Sequence, residues 1–379
     1  MSETVLTRKA IFSTVALSRL ATINWRTVAA FGLPFTLYIL TLAPTVYNLD
    51  SAEFTAAAAS GGLVRATGYP LYLLLGRVWS WLPIGDVGYR MNLLSAFSGA
   101  LTVALAERIL RRLDVGPWAV LGALGLLASA PYFWAMSLIA EVYTLHTALM
   151  ATIILLLLRW ADDPTPGRLA LVGLTGGLSM GNHAATVLLL PGILWYLFTV
   201  APRKVLVPRA LLAAVVASLL GLAVYLYLPL RLGALPAFNY AGHYSASGVF
   251  IPVNLRTFGG LWWLVSGQAF AGEMFAYQGA DLWREVGHFG AQLWRAFLVV
   301  GIGPGLLGAV VLLKRDWRHG GMLILMFAAI AGFYIDYRVV DKDTMFLPAY
   351  LVWALWLGIG YQVLLGWVRQ ATGAAAQRW

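Results

Sequence analysis

Asp50 and Glu53 are two carboxylates that directly follow the first long apolar segment of the chain. If the alanine-rich run after them is a helix ended by Gly61 and Gly62, their spacing of three residues puts both on one face, where they can converge on one ligand. An ionised group beside a bilayer is costly unless it is paired or functional, so the pair indicates a catalytic loop. The segment Asp50-Ser-Ala-Glu53 also fits a helix capping box, and spacing alone does not separate the two interpretations.

Other ionisable and polar residues lie in segments that the charge pattern assigns to the same side of the membrane. A carboxylate can accept the proton of an acceptor hydroxyl, and a cation can stabilise a departing phosphate. Arginine suits the second role because its planar fork binds two phosphate oxygens at once. This inventory fits attack on a phosphate-activated sugar, and its further members are Arg65, Glu141, Asn182, His183, Arg231, Arg338 and Lys342.

Three of these residues also have a purely structural interpretation. Glu141 stands at the start of a predicted span, where a negative charge favours a helix N-terminus. His183, in Gly-Asn-His-Ala, can be explained as a hydrogen-bonded residue of a turn between two spans. Arg231 fits an arginine that snorkels from the end of a span. Sequence alone leaves these alternatives open.

The composition predicts an all-α polytopic membrane protein. Of 379 residues, 60% are hydrophobic and only 11% are charged, a balance that excludes a water-soluble domain of this length. The absence of cysteine excludes disulfides and thiolate metal sites, and the five histidines show no metal-ligand spacing. We therefore expect no metal and no cofactor. The net charge is +10, and the basic residues lie in the loops between apolar segments. This placement favours contact with the lipid bilayer rather than with nucleic acid.

About ten apolar segments approach the length of roughly 20 residues that a spanning helix needs. The first outer loop should hold interfacial helices, because residues 69–83 are too short to cross and carry Arg77. We predict a cytoplasmic interfacial segment at 1–27, one catalytic domain at 28–368 with outer loops 47–88 and 230–292, and a cytoplasmic tail at 369–379. The predicted spans are 28–46, 89–110, 117–137, 138–158, 168–182, 184–200, 210–229, 293–313, 320–337 and 346–367.

The charges then separate by side. With the N-terminus inside, the inner segments carry 17 basic and 6 acidic residues, and the outer segments carry 9 basic and 10 acidic residues. Positive loops mark the cytoplasmic side of a membrane protein. The sequence therefore predicts that Asp50 and Glu53 face the outside of the cell.

Short motifs recur along most of the chain: Asp50-Ser-Ala-Glu53-Phe54, Gly68-Tyr69-Pro70-Leu71-Tyr72, Arg90-Met-Asn92-Leu-Leu-Ser95-Ala96, Ala140-Glu141-Val142-Tyr143, Gly181-Asn182-His183, Leu228-Pro229-Leu230-Arg231, Asp341-Lys342 and Phe346-Leu347-Pro348-Ala349-Tyr350. In this order, they resemble the protein O-mannosyltransferase-like membrane family of the GT-C glycosyltransferases. The resemblance implies a GT-C fold, a polyprenyl-phosphate sugar donor, Asp50 as catalytic base with Glu53 beside it, and substrate-binding roles for Tyr69, Glu141, Tyr143, Asn182 and His183. The chain departs from the family at Val64-Arg65-Ala66-Thr67, where His-Pro-Pro is more usual, and Arg65 is expected to take over a phosphate or acceptor contact there.

Residues and resemblance together predict a membrane glycosyltransferase. It would move mannose or another hexose from a polyprenyl-phosphate donor to a hydroxyl acceptor, on a protein or a glycan, at the outer face of a prokaryotic plasma or inner membrane. Two alternatives are a transporter and a flippase or binding protein for lipid-linked sugars. Transporters place ionisable residues near the midplane and show matched halves, whereas a lipid-binding protein needs phosphate-binding cations but no base.

Overall fold

The computed structural model describes residues 24–48 and 50–376, and all statements on structure refer to these residues. Most of the interfacial segment predicted at 1–27 lies outside them. Seventeen α-helices make up most of the fold. They are α1 (Trp25–Thr41), α2 (Asp50–Ser60), α3 (Pro70–Trp79), α4 (Val87–Arg112), α5 (Pro117–Ser129), α6 (Pro131–Leu138), α7 (Tyr143–Asp162), α8 (Pro166–Asn182), α9 (Leu190–Val200), α10 (Pro202–Val205), α11 (Pro208–Leu222), α12 (Tyr227–Gly233), α13 (Phe258–Val265), α14 (Gly279–Ala296), α15 (Ile302–Arg315), α16 (Trp317–Ile335) and α17 (Leu347–Ala376). Short 3₁₀ helices cover Ala184–Leu189, Ala223–Leu226, Gln268–Glu273 and Lys342–Phe346.

Caps and prolines fix where many of these helices begin. The Asp86 carboxylate accepts a hydrogen bond from the backbone N–H of Tyr89 and so caps α4. The Asp316 carboxylate caps α16 in the same way. Helices α3, α5, α6 and α8 begin with proline, which lacks the N–H that a first turn would leave unpaired.

Each of the ten predicted spans contains a helix, but their number as full spans is not confirmed. Five helical stretches of the described chain are long and apolar enough to cross a membrane, or six if α5 and α6, bent by 61° at their junction, form one span. Helices α1, α8 and α15 contain 17, 17 and 14 residues, which is shorter than a full crossing. The five stretches are Val87–Arg112, Tyr143–Asp162, Pro208–Gly233, Trp317–Ile335 and Lys342–Thr372.

Three boundaries differ from the prediction. The span at 293–313 was wrong at its start, because α14 ends at Ala296 and a turn precedes α15 at Ile302. Residues 139–142 form a loop instead of the beginning of a span. The described part of the predicted tail, 369–376, continues α17.

A short antiparallel β-hairpin lies within the mostly helical fold. Strands β1 (Gly242–Tyr244) and β2 (Phe250–Pro252) pair with His243 opposite Ile251. The hairpin lies within the predicted outer loop 230–292, together with α12, α13 and most of α14. This region packs on the segment after α2 through a small apolar core of Leu63, Ala66, Leu228, Ala241, Leu255 and Leu264.

The main core surrounds α17, whose residues 347–357 are all buried. Helix α17 packs against α15, α5 and α7. Small residues allow a second close contact, between α8 and α11, because a Cβ atom on Gly177 would overlap the carbonyl oxygen of Ser218. Such contacts between small residues are a common way to join helices in membranes.

Candidate active site

Helix α2 places Asp50 and Glu53 in its first turn, as predicted. It ends where expected, because Gly61 takes a left-handed conformation (φ +66°) and the N–H of Gly62 donates to the carbonyl of Ala57 over 2.7 Å. The buried side of α2 is apolar and contains Phe54. Helices α2 and α3 both lie in the segment 47–88, where the sequence predicted interfacial helices.

A single cation, Arg65, joins the two carboxylates. Its guanidinium forms an ion pair with Asp50, and its Nε lies 3.3 Å from Glu53 Oε2. The backbone N–H of Arg65 also donates to Glu53 Oε1 over 2.9 Å. Asp50 and Glu53 thus converge on one partner, as their spacing predicted.

The same contacts argue against the capping-box interpretation. A capping box needs hydrogen bonds between these side chains and backbone N–H groups at the start of the helix. Among the hydrogen bonds of the described residues, the Glu53 carboxylate accepts from Arg65 instead, twelve residues along the chain. Burial raises the pKa of Glu53, and the hydrogen bond from the Arg65 backbone partly opposes this shift.

Glu141 is a buried acid in the loop between α6 and α7. Its backbone is fixed by Ser95, whose hydroxyl accepts from the Glu141 N–H at 3.1 Å and lies 3.2 Å from the Glu141 carbonyl. The residue is only 8% exposed, and its Oε2 has no hydrogen-bond partner among the described residues. Burial raises the pKa of Glu141 to about 8; the Asp341 carboxylate adds to the shift and the Arg65 guanidinium opposes it. The backbone N–H of Val142, the N-cap of α7, also opposes the shift, and this is the contact that the helix N-terminus interpretation of Glu141 predicts.

Aromatic and imidazole rings line the region beside Glu141. The Tyr69 ring lies 5.2 Å from Phe54 and 5.8 Å from His183, between ring centroids. The His183 ring is also 5.8 Å from Tyr143. Burial raises the pKa of the Tyr69 phenol, and the Arg65 guanidinium lowers it. The structure therefore brings Tyr69, Tyr143 and His183 together.

Asn182 and His183 also have structural tasks. Asn182 is fully buried, and its Nδ2 donates to the Val142 carbonyl over 3.2 Å, which ties α8 to the loop of Glu141. His183 Nδ1 accepts from the Ala185 N–H over 3.2 Å, as expected for a turn residue. Burial lowers the pKa of His183 to about 4, so this ring is neutral at physiological pH.

Three of the four predicted phosphate ligands lie away from the carboxylate pair or have another partner. Arg231 Nε donates to the Gly61 carbonyl over 2.6 Å, at the far end of α2. With a rise of 1.5 Å per residue, that helix separates it from Asp50 by roughly 15 Å. Arg338 pairs with Glu273 at 2.9 Å, and Lys342 pairs with Glu285 at 2.6 Å. Phosphate binding by these three residues stays a prediction.

Asp341 is the functional candidate that sequence reasoning missed. Its carboxylate is close enough to raise the pKa of Glu141 and that of Tyr337. The motif Asp341-Lys342 marks the position in the sequence, but nothing in the sequence pairs it with a residue two hundred positions earlier. Across residues 24–48 and 50–376, no group of three or more His, Asp or Glu side chains could hold a metal ion.

Known proteins resemble both the segment 50–206, which contains Asp50, Glu53 and Glu141, and the fold of nearly the whole chain. Residues 50–206 match the family described as protein O-mannosyl-transferase TMEM260 N-terminal domain. The protein O-mannosyltransferase-like resemblance is confirmed. The mouse protein O-mannosyl-transferase TMEM260 is 31% identical over 208 residues, which are 53% of this chain and 30% of that protein. The chain thus spans less than a third of the length of this curated relative.

Two crystal structures share the overall fold. ArnT from Cupriavidus metallidurans bound to undecaprenyl phosphate superposes with a TM-score of 0.62 at 14% identity, covering 94% of this chain and 64% of ArnT. The apo state of the same protein gives a TM-score of 0.60 at 15% identity, covering 92% of this chain and 62% of ArnT. The predicted GT-C fold class is thereby confirmed.

Proposed function

We propose that this protein is a membrane glycosyltransferase that moves a sugar from a polyprenyl-phosphate donor to a hydroxyl acceptor at the outer face of the membrane. The observation that carries the proposal is the bridging of Asp50 and Glu53 by Arg65 beside the buried Glu141. These residues lie in the segment that matches the O-mannosyl-transferase family. They provide a base, a cation and a neutral hydrogen-bond donor in one place.

Asp50 is the proposed general base. In the transfer, the acceptor oxygen forms a bond to the anomeric carbon while the bond from that carbon to the phosphate oxygen breaks. The hydroxyl proton passes to the Asp50 carboxylate, and the electron pair leaves with the polyprenyl phosphate. A hydroxyl becomes acidic only as the new bond forms, so a carboxylate can accept its proton late in the step.

Arg65 is the proposed ligand of the donor phosphate. Its guanidinium has five N–H donors, more than its two carboxylate contacts use, and its side chain is 41% exposed. A phosphate that binds there shares the cation with Asp50 and Glu53. The positive charge of the guanidinium then stabilises the negative charge that develops on the departing phosphate. Among the other predicted ligands, Arg338 is the more accessible one, with its side chain 54% exposed, whereas the Lys342 side chain is only 9% exposed.

Glu141, Tyr69, Tyr143, Asn182 and His183 are the proposed contacts of the sugar. At pH 7 a carboxyl with a pKa of about 8 is mostly protonated, so Glu141 donates a hydrogen bond to a hydroxyl instead of repelling the phosphate. The neutral His183 ring lies against Tyr69 and Tyr143. These groups bind a polar, uncharged ring without competing with Arg65 for the phosphate.

The relatives support the finer assignments. ArnT was crystallised with undecaprenyl phosphate, which supports a polyprenyl-phosphate donor. The mouse relative is named a protein O-mannosyl-transferase, which supports mannose as the sugar and a protein hydroxyl as acceptor. The placement of the site on the outer face of the membrane rests on the charge pattern of the loops.

The alternatives of transport and lipid flipping account for fewer of these observations. The ionisable cluster of Asp50, Glu53 and Arg65 lies in the connection between α1 and α4 instead of the middle of a span, where transporters bind their substrates. A flippase or binding protein needs Arg65 but has no use for two carboxylates beside it. The glycosyltransferase uses both.

Asp50→Asn is the variant that tests the proposal. Purified protein is incubated with a panel of polyprenyl-phosphate sugars, and both lipid-phosphate release and the mass of the glycosylated acceptor are measured. We expect a loss of about 10²-fold or more in turnover with donor binding largely retained, since the base is removed but size is kept.

The matched control is Asp86→Asn, because Asp86 also lies in the first outer loop but caps α4. This control should keep its turnover. Near-normal turnover of Asp50→Asn would remove Asp50 from the mechanism, and no transfer by the unmodified protein with any donor would reject the proposed function.

A further inference from the structure

Helix α14 presents one polar face to the loop that follows Asp341. Glu285, His288 and Gln292 are spaced by three and four residues, which places them on the same side of the helix. Glu285 contacts Lys342, and His288 and Gln292 contact Asp343. None of the three was predicted as a functional residue.

Glu285 is the carboxylate partner of the buried Lys342. The Lys342 ammonium lies 2.6 Å from Glu285 Oε2, donates to the Ile335 carbonyl over 3.2 Å, and stands 4.5 Å above the centre of the Tyr277 ring. The lysine side chain is 9% exposed. A buried charge that loses its partner is costly, so Glu285 strongly restrains the loop.

Gln292 and His288 hold the next residue, Asp343. Gln292 is 5% exposed, and its Nε2 donates to the Asp343 carbonyl over 2.7 Å. His288 Nε2 lies 3.3 Å from the Asp343 carboxylate, which also accepts from the Tyr132 hydroxyl of α6 over 2.9 Å. Asp343 is therefore fixed between α14 and α6, the helix that precedes the loop of Glu141.

Asp341 belongs to the same turn. Its carbonyl accepts from the Thr344 N–H over 3.1 Å and from the Thr344 hydroxyl over 2.8 Å. The Phe289 ring of α14 packs on Phe346 at 4.5 Å between centroids, at the end of the same 3₁₀ helix. Helix α14 thus contacts residues 342, 343 and 346, which directly follow Asp341 in the chain.

We propose that Glu285 and Gln292 are positioning residues that hold the turn at 341–346 against α6, the helix that leads into the loop of Glu141. This inference rests on the proposed function, in which Glu141 contacts the sugar. Neither residue touches the substrate; each acts through the loop at 342–346. Through this turn, helix α14 influences the position of Asp341, whose carboxylate raises the pKa of Glu141.

Hydrogen exchange of the intact protein tests the positional part without any need for activity. Amides of the segment 341–346 should exchange about tenfold faster or more in Glu285→Gln, because the buried ammonium loses its charged partner and the loop opens more often. The matched control is Asp281→Asn, which removes an exposed α14 carboxylate that pairs with Arg284. Unchanged exchange in Glu285→Gln would overturn the proposal, and faster exchange in both variants would do so too.

The pH profile of turnover tests the effect on the site. The charged groups that face Glu141 are Glu53, Arg65 and Asp341. Removing or displacing the Asp341 carboxylate should shift the alkaline limb to lower pH, in Asp341→Asn and in Glu285→Gln alike, and the double variant should shift no further.

Additive shifts in the double variant would show that Glu285 acts by another route and would overturn the inference. Should the unmodified protein transfer no sugar, the proposed function fails, while the exchange experiment still decides whether α14 positions the loop.

Discussion

Replacement of Glu141 by glutamine should stabilise the protein in a pH-dependent way. Glutamine resembles the protonated acid in size but cannot ionise. Because the folded pKa of Glu141, about 8, lies above its ordinary value of 4.5, the folded state keeps a proton that the unfolded chain releases. The contribution of this residue to stability is fully present below about pH 4.5 and is lost as the pH rises through 8. The Glu141→Gln variant is free of this loss.

The size of the effect follows from the same values. Each pKa unit corresponds to about 1.4 kcal/mol, so the penalty on the wild-type protein is about 3 kcal/mol at pH 7 and about 5 kcal/mol above pH 8. The residue is 8% exposed, so solvent screening does little to reduce these figures. Above pH 8 the carboxylate is ionised in both states and the gap stops growing.

Melting temperatures of both proteins in one detergent, from pH 5 to pH 9, measure the difference. We expect nearly equal values at pH 5 and a gap in favour of Glu141→Gln that widens up to pH 8 and then stays constant. A gap that does not change with pH would refute the argument, because it would mean that Glu141 titrates like an exposed acid. A variant that is less stable at every pH would show that one carboxylate oxygen has a partner that glutamine cannot replace.

Three further predictions concern the rest of the fold. Arg231→Ala should lower the free energy of unfolding by about 1–2 kcal/mol, because it removes the charged donor from the end of α2, and unchanged donor affinity in this variant would reject its phosphate-binding role. Gly177→Leu should cost about 2 kcal/mol or more through overpacking against α11, whereas Gly176→Leu, where a Cβ atom meets nothing within 4 Å, should melt normally. In the cysteine-free chain, an impermeant thiol reagent applied to intact cells should label Arg284→Cys but not Lys204→Cys; the reverse pattern would invert the topology.

The convergence of Asp50 and Glu53 could be predicted because it depends on local geometry. Two residues three positions apart share a helix face wherever that helix lies. The partner of the pair could not be predicted in the same way. Arg65 was expected to bind phosphate, but its contact with both carboxylates depends on the path of the segment after Gly61, which no periodicity in the sequence encodes.

Hydropathy located the helices but not all of their ends. Residues 297–300, Phe-Leu-Val-Val, are as apolar as a helix core, yet they form the turn between α14 and α15. Because hydropathy measures the solvent a segment prefers and not its backbone conformation, the predicted span ran through this turn. The proximity of Asp341 to Glu141 was inaccessible for another reason, since single-sequence reasoning has no access to contacts between distant segments.

The sharing of one guanidinium by two carboxylates makes position 65 interdependent with positions 50 and 53. Any uncharged residue at 65 leaves two acids one helical turn apart with no counter-ion, so it alters their proton affinities while it removes a ligand for phosphate. A rate measured for such a variant therefore mixes two causes and does not equal the value of a phosphate contact. For the same reason, grafting the His-Pro-Pro run of the family onto residues 65–67 would need compensating changes at the carboxylates. Positions 50, 53 and 65 are therefore best varied together.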